Sequence, residues 1–152
     1  MTKTKQKILL FLLLVFSLYC SLSIGRSWDE GYHLLLGKST FDYLFSFGRI
    51  NNDVFYGEFY SPIYWTLQYF ISKISLVKYQ IETIHLTNLI FSFATLFGIG
   101  KVCKELFNQK VSKIIFLILF FYPIFFGHMS FNPKDMFLAF GHVWIFYSIL
   151  RY

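Results

Sequence analysis

Charge is scarce in this chain. Only 14% of its 152 residues are Asp, Glu, Lys or Arg, against about a quarter in a soluble domain. With a mean hydropathy of +0.53, that scarcity excludes disorder and argues against a water-soluble domain. Three prolines and nine glycines are too few for a collagen or a linker, and there is no internal repeat. What is abundant is aromatic: 21 Phe and 11 Tyr. A domain of this length still leaves about a third of its unfolded surface in contact with solvent, so the apolar surplus must face lipid. The formal net charge of +6 then has two readings, a nucleic-acid patch or a membrane orientation signal, and the positions of the charges decide between them.

Residues 8–24 form an almost unbroken apolar run behind Lys3, Lys5 and Lys7, long enough with its flanks to cross about 30 Å of hydrocarbon as a helix. A cleaved signal peptide is the alternative. The small-residue cleavage pattern is poor, however, and the rest of the chain is apolar too, so an uncleaved anchor is the simpler expectation. Further spans are expected at 84–102, 114–128 and 136–152. Residues 62–76 are apolar but short and interrupted by Gln68, Ser72 and Lys73. Tyr64, Trp65, Tyr69 and Lys73 are types that settle at headgroup depth, so this segment is expected to be a juxtamembrane helix opened by Pro62.

This gives an all-α polytopic membrane protein, one membrane domain over 1–152 with about four transmembrane helices and an outer loop at 26–83. The N-terminus is cytoplasmic under the positive-inside rule. Eight cations and one acid then lie inside, at a net +7, and six cations and seven acids outside, at a net −1. The positive charge is thus an orientation signal, and the membrane is a bacterial inner membrane or its equivalent. Cys20 and Cys103 fall near opposite faces, too far apart for a disulfide. The Phe-rich stretch 116–126 is lipid-facing, out of reach of a nucleic-acid base.

Two features could carry chemistry. Trp28-Asp29-Glu30 directly follows the first span, and Asn132-Pro133-Lys134-Asp135 precedes the fourth. Taken singly, the first is an ordinary solvated loop and the second a helix start, with a proline and an acid placed favourably against the dipole. The topology sets Asp29 and Asp135 on one outer face. Two carboxylates at a lipid boundary suit deprotonation of an acceptor, or a divalent cation beside a phosphate. His33, four residues after Asp29, could share a helical face with it. His85, His128 and His142 have no partner at metal-ligand spacing. Asp42, Asp53 and Glu58 are expected to keep the outer loop solvated.

The ordered set of features resembles the N-terminal part of a GT-C class membrane glycosyltransferase. It comprises an apolar first helix, Asp29-Glu30 directly after it, Ser61-Pro62-Ile63-Tyr64-Trp65, a helix ending in a basic turn, and a proline-containing third helix leading to Asp135-Met136. The chain is most similar to protein O-mannosyltransferases and lipid A aminoarabinose transferases, the glycosyltransferase family 39 type, and Asp29 and Asp135 stand 106 residues apart, close to that family's spacing.

The resemblance implies a partial GT-C fold, a piece of a longer chain inactive alone, and inverting transfer of a sugar from a polyprenyl-phosphate carrier on the periplasmic or lumenal face. Asp29 would be the catalytic base or acceptor-orienting acid, with Glu30 beside it and Asp135 as the second-loop acid. The chain lacks a Gly-rich phosphate loop, in keeping with a lipid-linked donor. The family segment often carries a cation and two prolines where this chain has Tyr60-Ser61-Pro62, so the donor phosphate needs a cation from elsewhere. Lys38, Arg49 and Lys134 are the outer candidates, and Lys134 ranks first because it adjoins Asp135. Partners would be membrane lipids, the lipid-linked donor, and an acceptor protein, lipid or glycan, with no nucleic acid. The alternative is a non-enzymatic small polytopic protein, a transporter subunit or assembly factor.

Overall fold

The computed structural model describes residues 3–50 and 62–152, which are mostly helical with no strand among them. Asp53, Glu58 and Ser61 lie outside the described residues. The helices among the described residues are α1 (Lys3–Ser23), α2 (Glu30–Phe45), α3 (Pro62–Ile74), α4 (Gln80–Leu106), α5 (Gln109–Phe121), α6 (Pro123–Phe131) and α7 (Pro133–Arg151), with a 3₁₀ turn at Val77–Tyr79.

Two helical stretches, Thr4–Ser23 and Val77–Leu106, are long and apolar enough to cross a membrane. α5 and α6 make a third only if taken as one span, because they meet at a bend of 71°. The third span expected at 114–128 is therefore two helices. The cause is Pro123, whose ring pushes the preceding residue out of the helical region; Tyr122 is extended, with φ −71° and ψ 115°. α7 covers the fourth expected span, but Lys134, Asp135, His142 and Arg151 leave it outside the set of sufficiently apolar helices.

α4 is the hub, packing against α1, α3, α5, α6 and α7. Contacts at its two ends give the helix directions. At its start, His85 meets Ser21, near the end of α1. At the other end, the start of α1 meets the start of α5, where Lys113 Nζ donates to Gln6 Oε1 at 2.9 Å. There too, Arg151 of α7 pairs with Glu105 of α4 at 3.5 Å. α1 thus runs antiparallel to α4 and α7 parallel to it. Trp144 Nε1 donates to Ala94 O at 3.2 Å along the α4–α7 seam.

Local starts follow known chemistry. Asn108 caps α5, its side chain accepting from Lys110 N at 2.9 Å and Val111 N at 3.0 Å, and Asn132 caps α7 through Asp135 N at 3.2 Å, with Pro133 in the first turn where its missing N–H costs nothing. α2 lies on α3 at Gly37, where a Cβ would stand 2.3 Å from the Trp65 carbonyl oxygen. Only a hydrogen fits there, and any larger residue would force the helices apart.

The apolar core is Leu13, Leu89, Phe93, Leu96, Phe120 and Met129, but the interior also holds many polar groups. Ser17, His85, Asn88, Ser92 and Thr95 are buried, while Phe11, Leu12, Ile118 and Ile145 are exposed. On α4, Asn88 is 0% exposed and Ile90 69%. Burying the amide and presenting the isoleucine is the reverse of what water selects.

Candidate functional site

α4 carries His85, Asn88, Ser92 and Thr95 at intervals of three and four residues, which set side chains on one helical face. All four point into the bundle. Each must find a partner there, because an unsatisfied buried polar group costs about 1–3 kcal/mol. Ser92 Oγ donates to Met129 O at 2.8 Å. Asn88 is the centre of a larger set: its Nδ2 donates to Ser130 O at 2.7 Å, and its Oδ1 accepts from Gln68 Nε2 at 2.7 Å and from the Tyr64 hydroxyl. Burial pushes the Tyr64 phenol well above its ordinary pKa, so it stays protonated and donating.

One turn earlier, His85 Nε2 lies 2.5 Å from Glu30 Oε1, and its Nδ1 lies 3.2 Å from Ser21 O. A carbonyl can only accept, so Nδ1 carries the hydrogen on that side. A single proton then lies between Nε2 and the carboxyl. The other Glu30 oxygen accepts from Ser27 N at 2.7 Å. Both Glu30 oxygens are therefore engaged inside the protein, and its side chain is 3% exposed. The carboxyl ties the turn entering α2 to the ends of α1 and α4.

Asp29 has a different setting. It is the residue before α2, its side chain is 55% exposed, and its Oδ1 accepts from Ser27 Oγ at 2.8 Å. Its Oδ2 stands 3.9 Å from His33 Nε2, the i,i+4 relation expected from the sequence. His33 stacks on Trp65, with ring centroids 4.5 Å apart, and its Nδ1 is buried with no hydrogen-bond partner among the described residues. Burial lowers the His33 pKa below its usual value and Lys134 adds to that, against the opposing pull of Asp29 and Glu30.

Glu30 at the start of α2 meets His85 near the start of α4, and α7 runs parallel to α4, so the starts of α2 and α7 lie at the same end of the bundle. Asp135, in the first turn of α7, is exposed and accepts from Asn132 Nδ2 at 2.9 Å, and Asn132 Nδ2 also meets His128 Nδ1 at 2.6 Å. Asp29, Lys134 and Asp135 thus lie at one end of the bundle, as does Glu30. Among the described residues no hydrogen bond or ion pair joins Lys38 or Arg49 to this group, and no three His, Cys, Asp or Glu are placed to hold a metal ion.

Several expectations need correction. Tyr64, Trp65 and Tyr69 are buried against neighbouring helices rather than lying at a surface; α3 is the expected helix, but one face of it belongs to the core. Residues 30–45, expected as loop, are helical. The Asn88 hub was missed as well, although the stripe 85, 88, 92, 95 was legible as polar residues on one face of an apolar helix, a pattern that marks a bundle interior.

Comparison with protein families, with curated proteins and with solved structures finds no match.

Proposed function

We propose that the chain is the N-terminal part of a membrane glycosyltransferase that moves a sugar from a polyprenyl-phosphate carrier to an acceptor. In this reading the end bearing Asp29, Lys134 and Asp135 is the outer face, and α1, α4, the bent α5–α6 pair and α7 cross the bilayer. The reversed distribution of polar and apolar residues supports immersion in lipid. The helix directions support an arrangement in which Lys101, Lys104 and Lys113 share the inner side with the N-terminus.

The observation that carries the enzymatic reading is that Asp29 and the Lys134–Asp135 turn lie at the same end of the bundle, with Asp29 3.9 Å from His33 and Lys134 acting electrostatically on that ring. An exposed carboxylate and a cation at one end of the bundle suit transfer from a phosphate carrier. The acceptor hydroxyl oxygen bonds to the anomeric carbon as the bond from that carbon to the phosphate oxygen breaks. The electron pair leaves on the polyprenyl phosphate, whose charge Lys134 offsets, and the hydroxyl proton passes to Asp29. Attack opposite the leaving group inverts the anomeric centre. Glu30, bonded to His85 and Ser27, positions α2 and with it Asp29.

The test is sugar transfer from a polyprenyl-phosphate donor by the full-length protein. Asp29→Asn is expected to lower kcat by about 10²–10⁴-fold, the usual contribution of a positioned base, with the protein still folded. Undiminished transfer removes Asp29 from the mechanism. The second reading, a non-enzymatic membrane protein, is favoured by one observation: Glu30, the nearest companion of Asp29, is consumed by structural bonds. It expects no transfer from either protein.

A further inference from the structure

At the end of the bundle opposite Asp29, a groove of about 580 Å³ opens between α1, α4 and α5, within the size range of specific ligand sites. Its walls are apolar, with Leu9, Leu13 and Phe116 among them, and its rim carries Lys101, Lys104 and Lys113. Among the described residues no carboxylate lines it. Glu105, the acid of that end, is engaged with Arg151 of α7 at 3.5 Å. Lys113 spends one donor on Gln6 Oε1, and an ammonium has three. Lys101 sits 5.2 Å from the Tyr147 ring centroid, which holds its position without neutralising its charge. Ser112 Oγ donates to Gly100 O at 2.7 Å in the groove wall, fixing α5 to α4.

An apolar trough with three cations at one end matches one kind of molecule, an amphiphile with a long apolar tail and an anionic head. We infer that this groove binds an anionic phospholipid of the adjacent leaflet, one acyl chain lying between α1 and α5 and the phosphate among Lys101, Lys104 and Lys113. The charges are complementary, and the rim lies where a leaflet surface would meet the bundle. The inference rests on the membrane part of the reading above and is independent of sugar transfer. Each lysine engaged is worth about fivefold in affinity for an anionic headgroup, so three distinguish an anionic lipid from a zwitterionic one by at least about tenfold.

Native mass spectrometry of the delipidated protein in detergent tests this, with phosphatidylglycerol and phosphatidylcholine of matched chains offered together. Retention of one phosphatidylglycerol at about tenfold or greater preference is expected. The preference should vanish in the Lys101→Gln/Lys104→Gln/Lys113→Gln variant and persist in Lys5→Gln/Lys7→Gln/Lys110→Gln, which removes three lysines that do not line the groove. Leu9→Trp, which fills the trough without changing charge, should weaken retention of both lipids. Circular dichroism identifies any variant that fails to fold, and Leu9→Trp and the lysine set then serve as independent checks. Equal binding of the two lipids, or an undiminished preference in the groove-lysine variant, overturns the site. Displacement of the lipid by inorganic phosphate at equal concentration overturns the role of the acyl chain. Failure of the protein to insert into vesicles of either lipid refutes the membrane reading itself, a result distinguishable from insertion without selection.

Discussion

Replacing Glu30 by Ala should destabilise the protein by about 3–5 kcal/mol, the cost of leaving one member of a buried pair behind. The size follows from the surroundings. The His85 ring is 0% exposed and the Glu30 side chain 3%, so water cannot screen the contact or replace the lost partner as it does at a surface. The substitution strands His85 Nε2 in the interior. It also removes the acceptor of Ser27 N, but that N–H is only part-buried and adds less.

Glu30→Gln keeps an oxygen and an amide at the same reach, so it should cost about 1–1.5 kcal/mol, the scale of one hydrogen bond weakened rather than abolished. The double variant Glu30→Leu/His85→Leu removes both partners, so neither side chain of the pair is left stranded, and the remaining cost is that of Ser27 N and Ser21 O, each of which loses its partner. Its cost should fall below the sum of the single Leu variants by about 2 kcal/mol, within the range seen for contacting residues. Unfolding in mixed detergent micelles, followed by circular dichroism, gives these differences. A Glu30→Ala variant within about 0.5 kcal/mol of the parent, the ordinary range for surface changes, or strict additivity in the double variant, would refute the coupling of Glu30 to His85.

Asn88→Leu should cost about 2–4 kcal/mol in the same assay, because Tyr64 and Gln68 each lose a buried acceptor. Asn88→Asp, which can still accept from both but cannot donate to Ser130 O, should fall between Leu and the parent; equal costs for the two would show that the acceptor side is unimportant. The His33 imidazole has a folded pKa below its unfolded value of about 6.5, so the unfolded chain binds the proton more readily. Stability from this residue is full above about pH 6.5 and falls as pH drops toward the folded pKa. Unfolding measured from pH 8 to pH 5 should show that loss. Asp29, Glu30 and Lys134 act on the ring electrostatically, and a His33→Phe variant, which keeps the stack on Trp65, should flatten the dependence; an unchanged slope would assign it to another group.

Helix α1 and the body of α4 were legible because long apolar runs have no other solution in lipid. The starts of α3 and α7 were legible because Pro62 and Pro133 stand where a first turn tolerates them. Helix α2 was not, for its sequence carries Gly31, Gly37, Thr40 and little apolar periodicity, all weak local signals for a helix. It is held by packing on α3, at the Gly37–Trp65 approach and the Phe41 contacts with Tyr69 and Phe70. The face that α3 buries was illegible for a related reason: tyrosine and tryptophan suit both a headgroup layer and a polar interior that satisfies their donors, and only the partners, Asn88 for Tyr64 among them, separate the two.

The acidic dipeptide Asp29-Glu30 shows why adjacency in sequence is a poor guide to a shared site. Had the segment stayed a loop, both carboxyls could have turned toward one substrate. Because a helix starts there, successive residues point about 100° apart, and when one faces His85 the other cannot. Glu30 is taken inward by His85 and the Ser27 N–H, and Asp29 is left at the surface as the unburied acid of that turn. A second group for chemistry must then come from another element, and the helix that reaches the same end is α7, with Lys134 and Asp135 in its first turn. Any pairing of Asp29 with that turn is between residues over a hundred positions apart, set at one end of the bundle by the parallel packing of α7 on α4. The neighbour in sequence, Glu30, holds the turn that carries Asp29.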